Sequence, residues 1–304
     1  MIDPALLQFA TPEELAQVES AMRAELALSS PADYAVEVSP HVPSPAGTFQ
    51  RAKHIDILNQ AIADLVNGRL GTRRLIVTMP PRHGKSHLIS TYTPAWYLTK
   101  YPNRKVAVTG YGDDFAAVWG KEVRHILTNA PAALSPELDK STTASSDWRT
   151  TSGGGMYTVG AGGPLTGKGA NLLIVDDPFK NHDEAQSALI RDKVYNWFRS
   201  TAMTRLQNPS AVIVVHTRWH EDDLIGRLLA NEPQKWHVIN LPAIAGEDDA
   251  IGRAPGEVLW PEMYPWDDPT GLLETIREKQ ESMHPMMFGA LYQQTPFTEG
   301  GDIY

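Results

Sequence analysis

Three short runs carry residue types whose spacing suits phosphoryl chemistry. In Pro80-Pro81-Arg82-His83-Gly84-Lys85-Ser86, a glycine turn closes on a lysine and a serine. Backbone N–H groups of such a turn, set at a helix N-terminus, cradle phosphate oxygens. The lysine neutralises charge at the β and γ positions, and the hydroxyl reaches a magnesium ion. Pro81, Arg82, His83, Gly84, Lys85, Ser86 and His87 are the expected nucleotide contacts, with Ser86 also on the metal. The complete pattern has a second glycine five residues ahead of Gly84, where this chain has Met79. A bare Gly-Lys-Ser triplet arises easily by chance, so the weight falls on its neighbours.

The second run, Leu172-Leu173-Ile174-Val175-Asp176-Asp177, brings an apolar segment to two carboxylates. At a strand tip, Asp176 is expected to hold the magnesium shell and Asp177 to orient or deprotonate the attacking water. Taken alone, Asp176-Asp177-Pro178 is also what a strand-closing turn looks like. The third run, AVIVV followed by His216-Thr217-Arg218-Trp219-His220, places Thr217 where a hydroxyl can contact the γ-phosphate and change partners after hydrolysis. Arg82, Lys168 and Arg218 are the cations available to a transition state, from the same chain or a neighbour. The catalytic set is therefore Asp177, Lys85, Arg82 and Lys168. His216 and His220 share no helix face, so packing and hydrogen bonding are expected of them, not metal binding. Asp222 and Asp223 are expected to cap the helix that follows.

Parallel strands would hold these groups. LIVTM precedes the lysine turn and the helical HLISTYTPAWYLTK follows it. VAVT, NLLIV, AVIVV and HVINL are continuous apolar runs, as in a parallel sheet covered on both faces, and helical patterns separate them. The fold class expected is α/β, with about five core strands. Trp148 to Gly169 is glycine-dense around MYTV, which predicts a hairpin with a mobile loop. HIDILNQAIADLVNG predicts a helix closed by Gly68. At the N-terminus, Leu15, Val18, Met22 and Leu26 recur at helical spacing after a Thr11–Glu14 capping box. The proline-rich stretch from Ser29 to Gly47 predicts an extended connector. The expected organisation is a helix and connector over 1–48, a catalytic domain over 49–296, and the start of a linker over 297–304.

The 304 residues carry a net charge of −9 and no cysteine, which excludes disulfides, thiolate metal sites and cysteine nucleophiles. No run approaches the roughly 20 apolar residues of a membrane span, and an intracellular protein without membrane association is expected. The acidic balance argues against a cation-coated surface. Arg69, Arg73, Arg74, Arg104, Lys105, Lys121 and Arg124 are the cations available for a local contact to nucleic-acid phosphates.

PPRHGKS, LLIVDDP and HTRWHEDDLIGRLL, standing in this order, resemble the ATPase domain of the large terminase subunit of tailed bacteriophages, over a stretch from about Phe49 to the C-terminal ALYQQTPFTEGGDIY. The resemblance implies a P-loop NTPase core using ATP and Mg2+, and a motor that packages double-stranded viral DNA into a procapsid in the host cytoplasm. Its implied partners are double-stranded DNA, a portal protein and a small terminase subunit, with a homo-oligomeric ring on the portal and a monomer in isolation. Arg82, Gly84, Lys85 and Ser86 match the family's phosphate loop, Asp176 its magnesium aspartate and Thr217 its coupling motif. Phe49, Gln50 and His54 fall loosely at its adenine-side segment. Asp177 stands where many members have glutamate, which leaves Glu184 and Glu221 as alternatives for the water role. Thr166 and Lys168 occupy the place of a trans-acting arginine, with Lys168 the substitute. The chain stops where a linker to a nuclease domain would begin, so ATP hydrolysis without DNA cleavage is expected. Two other readings are a nucleotide-gated assembly subunit with little turnover and a different P-loop translocase or helicase.

Overall fold

The computed structural model describes residues 11–44, 47–165 and 167–297; Thr166 and the linker-like terminus lie outside the described residues. All five apolar runs are strands: β1 (Arg74–Thr78), β2 (Lys105–Gly110), β5 (Ala170–Asp176), β6 (Leu206–Val215) and β7 (His237–Asn240). The glycine-dense region supplies two more, β3 (Asp147–Arg149) and β4 (Gly155–Gly160), which pair antiparallel as the expected hairpin. The sheet runs β3-β4-β2-β5-β6-β1-β7, and every pairing except β3 with β4 is parallel. β5 is buried along its whole length, as its unbroken apolar run requires. β7 departs from that expectation: it is an edge strand, and of its four residues only Ile239 is buried.

Helices cover both faces: α3 (Lys53–Asn67), α4 (Thr93–Lys100), α5 (Asp113–Asn129), α6 (His182–Gln186), α7 (Ala188–Trp197) and α8 (Leu224–Asn231). Gly68 closes α3 at φ +74°, a conformation glycine adopts without steric cost. Alternate residues of the strands feed two cores. Leu75, Val77, Val106 and Val108 join one, and Ile76, Ala107, Leu173 and Val175 the other. Two short helices, α9 (Ile276–Ser282) and α10 (Pro285–Leu291), form a third cluster with Ala243 and Val258.

The N-terminal region holds the expected helix and corrects the expected connector. The capping box of Thr11 and Glu14 is present on α1 (Pro12–Ala27), but Leu15, Met22 and Leu26 face outward. The predicted connector contains a helix, α2 (Pro31–Val38), whose Ala32, Tyr34, Ala35 and Val38 are fully buried in the first core. Pro31 sits in the first turn of α2, where its missing N–H costs nothing, and the Ser30 hydroxyl accepts from the Asp33 amide as N-cap. Proline density there marks helix starts as well as breaks.

Candidate nucleotide-phosphate site

β6 lies between the strand before the lysine turn and the strand before the acid pair. Val215 is the register partner of Val77 on one side and of Asp176 on the other. The three chemical runs therefore leave the same edge of the sheet side by side. That C-terminal edge is where open parallel sheets bind ligands.

The lysine turn owes its shape to two left-handed residues, Arg82 at φ +65° and Gly84 at φ +84°. A Cβ on Gly84 would stand 3.2 Å from Ile55 Cδ1, so the glycine answers both to conformation and to close packing against α3. Met79 is fully buried in the first core, and the position that usually holds glycine needs none here. Beneath the turn, His54 Nε2 donates to the His83 carbonyl at 3.0 Å and His83 Nδ1 donates to the Pro81 carbonyl at 2.8 Å. The His83 ring stacks on Tyr264 with centroids 4.8 Å apart. Burial drives the His83 pKa down to about 4, so the ring is a neutral brace, buried below the loop surface. Phe49 packs on the His87 and Tyr92 rings. Phe49 and His54 thus support the loop from within. Gln50 instead lines a neighbouring cavity of about 660 Å³ with Arg253, Trp260 and Trp266.

After Ser86 the helix opens as a π-helical turn, His87–Tyr92, before α4. Pro94 near the start of α4 lacks the N–H that a regular ladder would use. The wider turn contains Ser90, whose hydroxyl donates to Asp176 Oδ2 at 2.6 Å.

Lys85 is the hub. Its ammonium donates to the Thr217 hydroxyl at 2.9 Å and lies 3.9 Å from Asp177 Oδ2. The Thr217 amide donates to Asp177 Oδ1 at 3.2 Å, and the Asp177 amide to the Val215 carbonyl at 3.0 Å. Asp177 holds φ +45°, a strained conformation for a residue with a side chain, at the strand tip where its carboxylate meets Lys85 and Thr217. Asp176 is fully buried. Burial and the charge of Asp177 push its pKa up, against the opposing pull of Lys85 and the Ser90 and Ser86 hydroxyls. Its Oδ1 is buried with no hydrogen-bond partner. A buried carboxylate with one unclaimed oxygen beside a serine fits a magnesium ion. Among the described residues no cluster of three or more His, Cys, Asp or Glu could cage a metal, so phosphate oxygens and water would complete the shell.

These groups line a cavity of about 810 Å³ with Pro81, Arg82, Gly84, Ser86, His87, Trp219 and Tyr264. Of the expected site residues, the structure brings Pro81, Arg82, Gly84, Lys85, Ser86, His87, Asp177 and Thr217 to this wall, with Asp176 and His83 directly behind it. It does not bring Lys168. That residue precedes β5, at the opposite edge of the sheet, where its ammonium binds Asp147 at 2.8 Å and lies over Tyr157. Nor is Arg218 free: its Nε donates to the buried Asp223 at 2.8 Å. Asp223 caps α8 as expected, whereas Asp222 pairs with Arg191 and Arg227. Glu184 accepts from the Lys180 amide at 2.9 Å and is not on the cavity wall. The wall does include Lys180, which sequence reasoning passed over although it sits three residues beyond the acid pair on the same loop.

Comparison with known proteins adds a family. The family described as terminase large subunit, T4likevirus-type, N-terminal, matches residues 76–270. The large terminase of bacteriophage HK97 is similar in structure at 15% identity and TM-score 0.56, over 90% of this chain and 55% of that one. The ATPase domain of the Thermus phage P74-26 large terminase is similar at 14% identity and TM-score 0.51, over 84% of this chain and 99% of the domain. The chain thus spans about half the length of the HK97 protein. No curated protein sequence matches it.

Proposed function

From a chain that belongs to the T4likevirus-type terminase large-subunit family, within that family's N-terminal region, we infer an ATPase that drives the packaging of double-stranded DNA. One observation carries the reading: Lys85, Thr217 and Asp177 form a single bonded cluster at the sheet edge, directly above a buried Asp176 with an unclaimed oxygen.

In this reading the amides of the 81–86 turn hold the β- and γ-phosphates, and Lys85 turns from Thr217 toward them. Ser86 and Asp176 would hold Mg2+, whose chemistry there would be neutralisation of phosphate charge. Asp177 is fastened by the Thr217 amide through one oxygen, which leaves the other facing the cavity to orient the attacking water. The hydroxyl of Thr217 reports the presence of the γ-phosphate, because Lys85 releases it when nucleotide binds and retakes it after phosphate leaves. Gln50 lines the adjoining cavity, which shares Trp260 with the phosphate cavity and would receive the base.

DNA, a portal protein and a small terminase subunit are the partners this role requires, in a homo-oligomeric ring working in the host cytoplasm. Among the described residues no helix is long and apolar enough to cross a membrane. The contacts to DNA would be to phosphates, because a motor that moves along any sequence cannot depend on base edges.

The test is titration calorimetry with Mg·ADP and steady-state hydrolysis of Mg·ATP, in the presence and absence of DNA. We expect turnover that Lys85→Ala lowers by about 10²-fold or more, the scale of losing a charge aimed at the transition state. Nucleotide uptake without turnover would support an assembly switch instead of a motor, and absence of uptake would sink both readings.

A further inference from the structure

We propose that Lys180 is a catalytic residue of this site, its ammonium contacting the γ-phosphate of the nucleotide bound by its own chain. The proposal rests on the ATPase reading above and adds the cation that reading lacks.

Charge balance on the cavity wall is where the argument begins. A magnesium–triphosphate remains an anion, and negative charge shifts toward the leaving oxygen as the γ-phosphoryl group departs. Lys85 cannot neutralise it alone, since Asp177 stands 3.9 Å from the ammonium and Asp176 lies just behind. Of the other cations considered, Lys168 is at the far edge of the sheet on Asp147, and Arg218 is held by Asp223. Two remain on the wall without an ion-pair partner among the described residues, Arg82 and Lys180. Arg82 belongs to the 81–86 turn. Lys180 stands on the other loop of the wall, three residues beyond Asp177, the residue read above as orienting the attacking water.

Its backbone is fixed for the task. The Asn181 side chain accepts from the Glu184 amide at 3.0 Å, and the Glu184 carboxylate accepts from the Lys180 amide at 2.9 Å. This reciprocal cap at the start of α6 pins the residue that bears the cation, while its four-carbon stem leaves the ammonium free to reach. Glu184 is thereby a positioning residue acting through Lys180. In the step itself, the water oxygen bonds to Pγ, and the Pγ–O bond to the β-phosphate breaks with its electron pair on ADP. Water gives one proton to Asp177 and thence to solvent. Lys180 offsets charge on the γ-phosphoryl oxygens throughout and exchanges no proton.

A cation on the γ-phosphate must separate ATP from ADP, and this can be measured without turnover. The full chain, Lys180→Ala and Lys180→Arg are titrated with Mg2+ and either ADP or a non-hydrolysable ATP analogue, and Mg·ATP hydrolysis is followed in parallel. Lys180→Ala is expected to lose about tenfold in affinity for the analogue, as for one lost charged hydrogen bond, with ADP affinity within about twofold. Its kcat should fall about 10²-fold, with Lys180→Arg recovering most of both. Equal losses for the two nucleotides, or no loss, would overturn the assignment while the wild-type chain's uptake and turnover kept the ATPase reading intact. Rescue of Lys180→Ala by mixing with Lys85→Ala chains would overturn the assignment to the chain's own site. A wild-type chain that takes up neither nucleotide would overturn both.

Discussion

Asp176 and Asp249 are the same residue type, each with a side chain closed to solvent, and they sit in opposite electrostatic states. Asp249, in the loop after β7, accepts from the amides of Ile251 and Arg253 at 3.1 and 3.0 Å and from the Arg253 guanidinium at 2.6 Å. Burial alone would raise its pKa, but those donors outweigh it and hold the carboxyl below its ordinary value. Asp176 receives one hydroxyl at 2.6 Å, keeps an unpartnered oxygen, faces the charge of Asp177 and is pushed the other way. A charge settled within the chain belongs to the fold. A buried charge left unsettled marks a place where the chain is built for something outside itself.

The sharpest way to break that comparison is to neutralise each aspartate in turn, with the larger effect at the site. Asp176→Asn removes a buried charge that the chain's own donors leave unsettled, so the nucleotide-free chain should become more stable, by on the order of 1 kcal/mol. The same change should cost about 10²-fold or more in Mg·ATP hydrolysis. Thermal unfolding without ligand and with Mg·ADP reads both signs: a higher midpoint alone, and a smaller shift on adding nucleotide. A lower midpoint without ligand would mean that Asp176 is structural and that the contrast with Asp249 is false.

Asp249→Asn should do the reverse, destabilising by about 3 kcal/mol because the Arg253 guanidinium, only 7% exposed at its side chain, is left without its counter-charge. The pH dependence follows from the depressed folded value. Stabilisation is complete above the unfolded carboxyl value of about 3.9 and is lost as pH falls through the lower folded one. Urea denaturation at pH 7 and pH 3 should therefore show a wide gap between wild type and variant that narrows in acid. A gap of equal size at both pH values would show that packing, and no charge pair, is what the substitution damages.

How far the sequence led differs between the two kinds of buried aspartate. Asp176 was legible because an unbroken apolar run fixes a buried strand, and the residue after it must emerge at the ligand edge. Asp249 was not, since nothing local ties it to an arginine four residues on in a non-helical loop. Tertiary packing also hid α2: Pro31 reads as a break, yet Tyr34 reaches the Leu134 carbonyl a hundred residues away and completes the core. The outward apolar stripe of α1 shows the limit of periodicity, which reveals a face without saying what covers it. Lys168 could have been placed better from the sequence. A residue before a parallel strand and a residue after it lie at opposite edges, and that rule also points to Lys180.

The smallest effect is expected where charge is already balanced at the surface, at Lys168. Its bridge to Asp147 has both side chains more than 40% exposed, and exposed pairs contribute about 0.2–1 kcal/mol. The Tyr157 ring 5.2 Å from the ammonium adds a contact of similar size. Lys168→Ala should therefore cost about 1 kcal/mol for the two contacts together and leave nucleotide affinity of the dilute chain unchanged. Six strand steps at about 3.3 Å put Ala170, two residues after Lys168, about 20 Å from Asp176, beyond the reach of a lysine side chain. If hydrolysis falls only as chains are concentrated, Lys168 serves a neighbour's pocket, and the two edges of the sheet belong to one site completed between subunits. If hydrolysis falls at high dilution, Lys168 acts on its own chain's pocket from across the sheet, and the division between a settled edge and a ligand edge does not hold.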